Sequence, residues 1–262
     1  MLLSCFRSAR AAESRQRTRG LTSHWGPVGP AIGLAPDPAT TPEPIVAVYG
    51  ARCSGWRGYF GIHTWIAVKP AHARTYTVYE VVPRNLRGRP SAMVVRRGPP
   101  DARWYGRIPA LLAQRRGEGV TALIERIEGS VRGYPYRHRY LVWPGPNSNT
   151  FTAHIARALP ELALDLPPTA IGKDYLVGRL IARAPSGHGW QVSLLGLLSV
   201  LVSRVEGFEI NVLGLAFGID PFACALKLPL LGRIGAARTQ SASSEAGSPS
   251  LTRHIPMASP RS

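Results

Sequence analysis

Trp143-Pro144-Gly145-Pro146-Asn147-Ser148-Asn149-Thr150-Phe151 is the stretch from which the rest of the chain is read. Two prolines and a glycine hold residues 143–146 out of regular structure, and small polar residues then stand where a helix would begin. Phe151, Ile155 and Leu159 follow at helical spacing, so a helix is expected over Asn149–Leu159, stopped by Pro160. A side chain at such a start meets unpaired N–H groups and the positive end of the helix dipole, which suits a cap and equally suits a nucleophile or a bound anion. Ser148 and Asn149 are caps on the first reading and site residues on the second.

Working upstream, His138–Trp143 is expected to be a strand with Tyr140 and Val142 on one face. Val120, Leu123, Ile124, Ile127 and Val131 mark an amphipathic helix over Gly119–Arg132. Ile45–Tyr49, Tyr59–Lys69 and Tyr76–Val82 alternate as strands of an antiparallel meander, and short strands are expected around Ala92–Val95 and Ala102–Tyr105. In the second strand Ile62, Thr64 and Ile66 face one way, and His63 shares the other face with Gly61, Trp65 and Ala67. Downstream, Lys173 and Asp174 lack the spacing of a phosphate loop and read as a surface ion pair. Val192–Val202 is shorter than the roughly 20 residues a spanning helix needs, so it is expected as a buried helix or interfacial segment. Glu209–Phe217 and Ala223–Leu231 read as closing strands, with a hairpin around Gly218–Pro221. The class implied is α+β, an antiparallel sheet packed with two or three helices. Residues 1–44 are expected as a disordered Arg/Pro-rich leader, 45–235 as a single α+β domain and 236–262 as a disordered tail.

The 262 residues carry a formal charge of +17, with a pI near 10.9. Such a field attracts polyanions. Yet 29 of the 32 basic residues are arginines, they are scattered along the chain, and no RNA-binding aromatic motif, zinc finger or heptad-linked basic region accompanies them. Nucleic acid is therefore disfavoured as a partner, and an anionic membrane surface stays open. Cys5, Cys53 and Cys224 are too dispersed for a disulfide framework, and the histidines form neither an i, i+4 pair nor a Cys/His cluster, so no metal and no cofactor is expected. The apolar start Leu2, Leu3, Cys5 and Phe6 ends too soon for a signal peptide, and no stretch reads as a transmembrane helix. Localisation stays between cytoplasm and membrane association.

Val48-Tyr49-Gly50-Ala51-Arg52, His63-Thr64-Trp65-Ile66, Tyr134-Pro135-Tyr136, the stretch from Trp143 to Phe151, Ala170-Ile171-Gly172-Lys173-Asp174 and the Leu226-Lys227-Leu228-Pro229 ending together resemble an uncharacterised bacterial family, domain of unknown function 3750. The resemblance covers about Ile45 to Gly235. Members of that family often begin with an apolar anchor, which this sequence lacks. More distantly, a histidine on a strand, a polar residue on a later strand, and Asn-Ser-Asn-Thr-Phe at a helix start are similar to permuted papain-like hydrolases of the NlpC/P60 and lecithin retinol acyltransferase type. That resemblance implies His63 as general base, Glu80 or Tyr79 as its orienting partner, with Glu80 the one placed in that role, Ser148 as nucleophile in place of the group's cysteine, and an amide or ester substrate. Trp65, Asn147, Asn149 and Trp143 would line the groove. Serine needs a well-aligned base where a thiol ionises readily, so the same groove is also expected to bind a peptide, glycan or acyl ligand without turning it over. Cys53 precedes the histidine strand and has no helix signal after it, so it does not replace the missing thiol. A third class is a non-enzymatic envelope or membrane-surface protein, supported by the charge and by an apolar C-terminal third with Trp190 and Phe208.

Overall fold

A computed structural model of the chain describes residues 28–88 and 90–235. The expected tail at 236–262 and residues 1–27 of the expected leader lie outside the described residues. Residues 28–44 are tied to the folded part: β1 (Val28–Ala31) pairs with β6 (Ala102–Trp104), Asp101 accepts from the backbone N–H groups of Leu34 and Ala35, and the Tyr76 hydroxyl donates to the Pro36 carbonyl.

The fold is α+β, with antiparallel sheets and three α-helices among the described residues. The first large sheet has the order β5-β4-β3-β2-β7, built from β2 (Ile45–Arg52), β3 (Ile62–Lys69), β4 (Thr77–Val81), β5 (Met93–Arg97) and β7 (Ala110–Arg116). The meander is as the alternation predicts, but its edge strand β7 was not anticipated. The expected start of β3 at Tyr59 also differs, because Arg57–Phe60 turns once as helix α1. Both faces of this sheet are covered. On one face Val46, Val48, Ile66 and Val68 pack with Ile124 and Ile127 of α2 (Val120–Arg132) and with Phe151 and Ile155 of α3 (Ser148–Ala158). On the other face Ile45, Tyr49, Trp65, Tyr76 and Val78 form a second cluster, with Ala35 and Trp104 packed against it. A strand buried on both faces cannot alternate with polar residues, which is why Ile45–Ala51 reads as a nearly unbroken apolar run.

His138–Trp143 is not a strand. It is an irregular approach to α3, entered through cis bonds at Trp143-Pro144 and Gly145-Pro146.

The second large sheet departs most from expectation. Residues 181–234 form a seven-stranded up-and-down meander: β8 (Ile181–Arg183), β9 (Gly189–Leu194), β10 (Leu198–Ser203), β11 (Gly207–Val212), β12 (Leu215–Asp220), β13 (Ala225–Leu228) and β14 (Gly232–Ile234). Val192–Val202 is thus two strands around a tight turn, not a helix, and Glu209–Phe217 is divided by another turn at Leu213-Gly214. The serines at 193 and 199 give the period of two that the apolar content hides. The sheet buries its polar side. Gln191, Ser193, Ser199, Glu209, Asn211 and Lys227 point inward, and the alternate apolar residues are exposed.

Candidate functional site

The N-terminus of α3 is consumed almost entirely by its own support. Asn147 is the N-cap: its side-chain oxygen accepts from the backbone N–H of Asn149 (2.9 Å) and Thr150 (3.2 Å), and Thr150 Oγ1 returns the favour by accepting from the Asn147 N–H at 3.1 Å. The Asn147 amide also donates to the carbonyls of Val142 and Ile171, each at 3.0 Å. Asn149 donates to the carbonyls of Ile62 and Ile171, and Thr64 of β3 donates to its side-chain oxygen at 3.0 Å. Gly172 shows how closed this corner is, since a Cβ there would lie 2.3 Å from the Asn147 amide nitrogen and the backbone stands at φ +96°. Asn147 and Asn149 are the clamp that fixes loop, helix and strand to one another.

Ser148 is the exception. It is buried, and its hydroxyl and backbone N–H face the phenol oxygen of Tyr140, whose pKa burial pushes up to about 12 while the Ser148 contacts oppose the rise. A neutral phenol thus takes the place of a base beside the serine. Burial also pushes the Cys53 thiol up, against the pull of Arg57 and Arg52.

His63 lies elsewhere. Its ring is stacked on Trp104, centroids 4.0 Å apart and planes 7° from parallel, and its Nε2 is 2.9 Å from Glu80 Oε2. The other Glu80 oxygen accepts from Arg96 Nε at 3.3 Å. Burial would raise the Glu80 carboxyl, but the His63 hydrogen bond and charge, with Arg96, outweigh it and hold the pKa below its ordinary value. An ionised carboxylate only accepts, so Nε2 is the protonated nitrogen.

The strand register separates the two candidates. Thr64 faces α3, touching Asn149 and Thr152, whereas His63 is on the opposite face with Trp65 and Trp104. The structure brings His63 to Glu80 but not to Ser148, and among the described residues no hydrogen bond joins the serine to the histidine. Of the other expected groove residues, Trp65 is buried and donates from Nε1 to the Pro100 carbonyl at 2.7 Å. Trp143 is exposed, and its Nε1 donates to the Leu213 carbonyl of the second sheet at 2.8 Å. Sequence reading missed Arg96 and Trp104. The alternation of β5 could have placed Arg96 on the Glu80 face, but no local signal announced the stacking tryptophan. Among the described residues no group of His, Cys, Asp and Glu is arranged to hold a metal.

Lys173 is not at the surface. It is buried beneath the second sheet, paired with Glu209, and Lys227 bridges Glu209 and Asp165 at 2.6 Å each. Arg233 continues the chain to Asp165 and Asp220. Burial raises the Asp174 carboxyl, and Gln191 donates to it.

The outer side of that sheet is a site of another kind. Along the register, Trp190, Val202, Phe208, Ile219, Leu226 and Ile234 make one row. Ile181, Val192, Val200, Ile210 and Phe217 make the next, and Leu194, Leu198, Val212 and Leu215 a third. Their exposures run from 37% to 58%. Arg183 is the charged residue on this face, its guanidinium 4.2 Å over the Trp190 ring. The carboxylates of the sheet region, Glu206, Glu209 and Asp220, are all buried.

Fold and surface together define an α+β protein with two large antiparallel sheets, one enclosed and one open along an apolar face. Residues 43–175, about half of the chain, match the family described as Protein of unknown function (DUF3750), and the chain belongs to that family. No curated protein and no solved structure matches. No helix among the described residues is long and apolar enough to cross a membrane.

Proposed function

We propose that this is a non-enzymatic membrane-surface protein that rests on an anionic bilayer through the outer face of its second sheet. The observation that carries the reading is the inverted pattern of β9 to β13, polar inward and apolar outward. With strands ~4.8 Å apart and same-face residues ~6.8 Å apart, the three rows span roughly 30 by 14 Å, some 400 Å², the size of the largest apolar patch on a typical monomer, which is often a functional surface. Removing that area from water is worth about 10 kcal/mol gross, against about 1 kcal/mol for each arginine near an anionic surface. The apolar term dominates once contact is made. Charge sets the approach: exposed Arg179, Arg183 and Arg204 stand around a region whose carboxylates are buried.

Co-sedimentation with phosphatidylcholine–phosphatidylglycerol vesicles tests the reading. Wild type should bind and stay bound in high salt, and Val200→Asp/Ile210→Asp should remain in the supernatant. Wild type staying in the supernatant at every salt concentration would end the proposal.

A second reading, a ligand or hydrolase site at Ser148 in a permuted papain-like frame, is favoured by the Tyr140 contact and by the His63–Glu80 pair. Against it stands the sheet between His63 and Ser148. A fluorophosphonate probe read by intact mass decides the catalytic form: labelling abolished by both Ser148→Ala and His63→Ala would support a hydrolase, and absent labelling counts against it.

A further inference from the structure

Helix α1 and its flanks carry a second exposed apolar group, unconnected with the core. Trp56 and Tyr59 are 66% and 74% exposed, and Phe60 is also exposed. They are organised: Trp56 meets Phe60 edge to face at 6.1 Å, and the Arg57 guanidinium lies 5.2 Å over the Trp56 ring. Arg52 donates to the carbonyls of Gly58 (3.3 Å) and Tyr59 (3.2 Å), then reaches across to the Leu230 carbonyl at 3.0 Å. That last bond ties the aromatic loop to the β13–β14 turn, where Leu230 and Leu231 are exposed. The loop is therefore attached to one corner of the second sheet.

From this geometry we infer that the α1 corner is an interfacial anchor, seated at the headgroup level of an anionic bilayer beside the sheet. The inference rests on the membrane reading above and adds where the protein grips. Tryptophan and tyrosine suit the headgroup level because their rings are apolar with one polar edge. No aspartate or glutamate occurs between Glu43 and Glu80, so Arg52 and Arg57 act without a neighbouring carboxylate in their own segment, and lipid phosphates are the complementary charge. Arg57 is exposed and stacked, which leaves its N–H edge available to a phosphate. Three adjoining aromatic rings exposed together form a patch and not the single scattered apolar residues usual on a solvated loop.

The experiment compares wild type, Trp56→Ser/Tyr59→Ser and Val200→Asp/Ile210→Asp on phosphatidylcholine vesicles with and without phosphatidylglycerol, with circular dichroism confirming that each protein is folded. The loop variant should partition onto the mixed vesicles about tenfold more weakly than wild type. Brominated lipid should quench a part of the wild-type tryptophan emission that is missing in Trp56→Phe. Equal partitioning of loop variant and wild type, with the sheet variant released, would overturn the anchor and leave the sheet reading standing. Failure of wild type to bind any vesicle would overturn the sheet reading and the anchor with it. A loop variant that lost self-association in place of lipid binding would make the corner a contact between copies and overturn the anchor.

Discussion

Replacing Glu209 by glutamine should cost this protein a large part of its stability. The carboxylate is buried between two buried ammonium groups, Lys173 on Oε2 and Lys227 on Oε1, and Asp165 is the other carboxylate bonded to Lys227. Burial would raise the Glu209 carboxyl, but the two lysines hold it below its ordinary value. Glutamine keeps the shape and removes the charge, leaving Lys173 without its ion-pair partner in a site closed to water. Breaking such a pair from one side costs about 3–5 kcal/mol, a major share of the roughly 5–15 kcal/mol that folded chains have in total. In urea unfolding followed by circular dichroism, a slope near 3 kcal/mol per molar would turn this into a midpoint lower by about 1–1.7 M. The exposed Arg126–Glu161 pair is the internal control, and Glu161→Gln should cost less than ~1 kcal/mol. The Lys173→Met/Glu209→Leu double variant should be less destabilised than the two single changes added together. A Glu209→Gln loss no larger than that of Glu161→Gln would refute the reasoning, because it would mean that water reaches the inner face of the sheet.

Other outcomes follow from the first sheet. Gly172→Ala should destabilise by about 2 kcal/mol or more, from the positive φ and the collision with the Asn147 cap, measured by the same unfolding curve. Glu80→Gln should cost about 3 kcal/mol near neutral pH by stranding Arg96. Because the folded Glu80 pKa lies below its ordinary 4.5, its contribution is present above that value and is lost as pH falls through the folded one, so the gap between wild type and variant should close in acid. Val200→Asp/Ile210→Asp sets two carboxylates directly opposite each other on β10 and β11, so it should unfold about 1–3 kcal/mol below wild type in lipid-free buffer while remaining folded.

Legibility varied with how local the signal was. The α2 and α3 helices were readable because Val120 to Val131 and Phe151 to Leu159 repeat at helical spacing, and both begin and end on residues that favour caps and stops. The faces of β3 were readable from alternation, including His63 with Trp65 opposite Thr64. The second sheet misled because its outward residues are the apolar ones. Read with the usual rule that apolar residues go inside, Val192–Val202 has only serines and glycine to break it, and it passes for a buried helix. Lys173-Asp174 misled for the opposite reason: two adjacent charges suggest a surface, and the partner that permits the burial of the lysine, Glu209, comes from a strand 36 residues away in the chain.

The sequence by itself determined the two long helices, most strands of the first sheet, the family and the α+β class, because caps, helical repeats and strand alternation depend on residues a few positions apart. Only the tertiary structure decided which face of the second sheet meets water. It set His63 and Ser148 on opposite sides of one sheet, gave the serine to Tyr140, and turned the apolar side of the second sheet outward. Those outcomes depend on strand register and on buried ion pairs between distant residues, and a one-residue change of register would reverse every one of the faces involved.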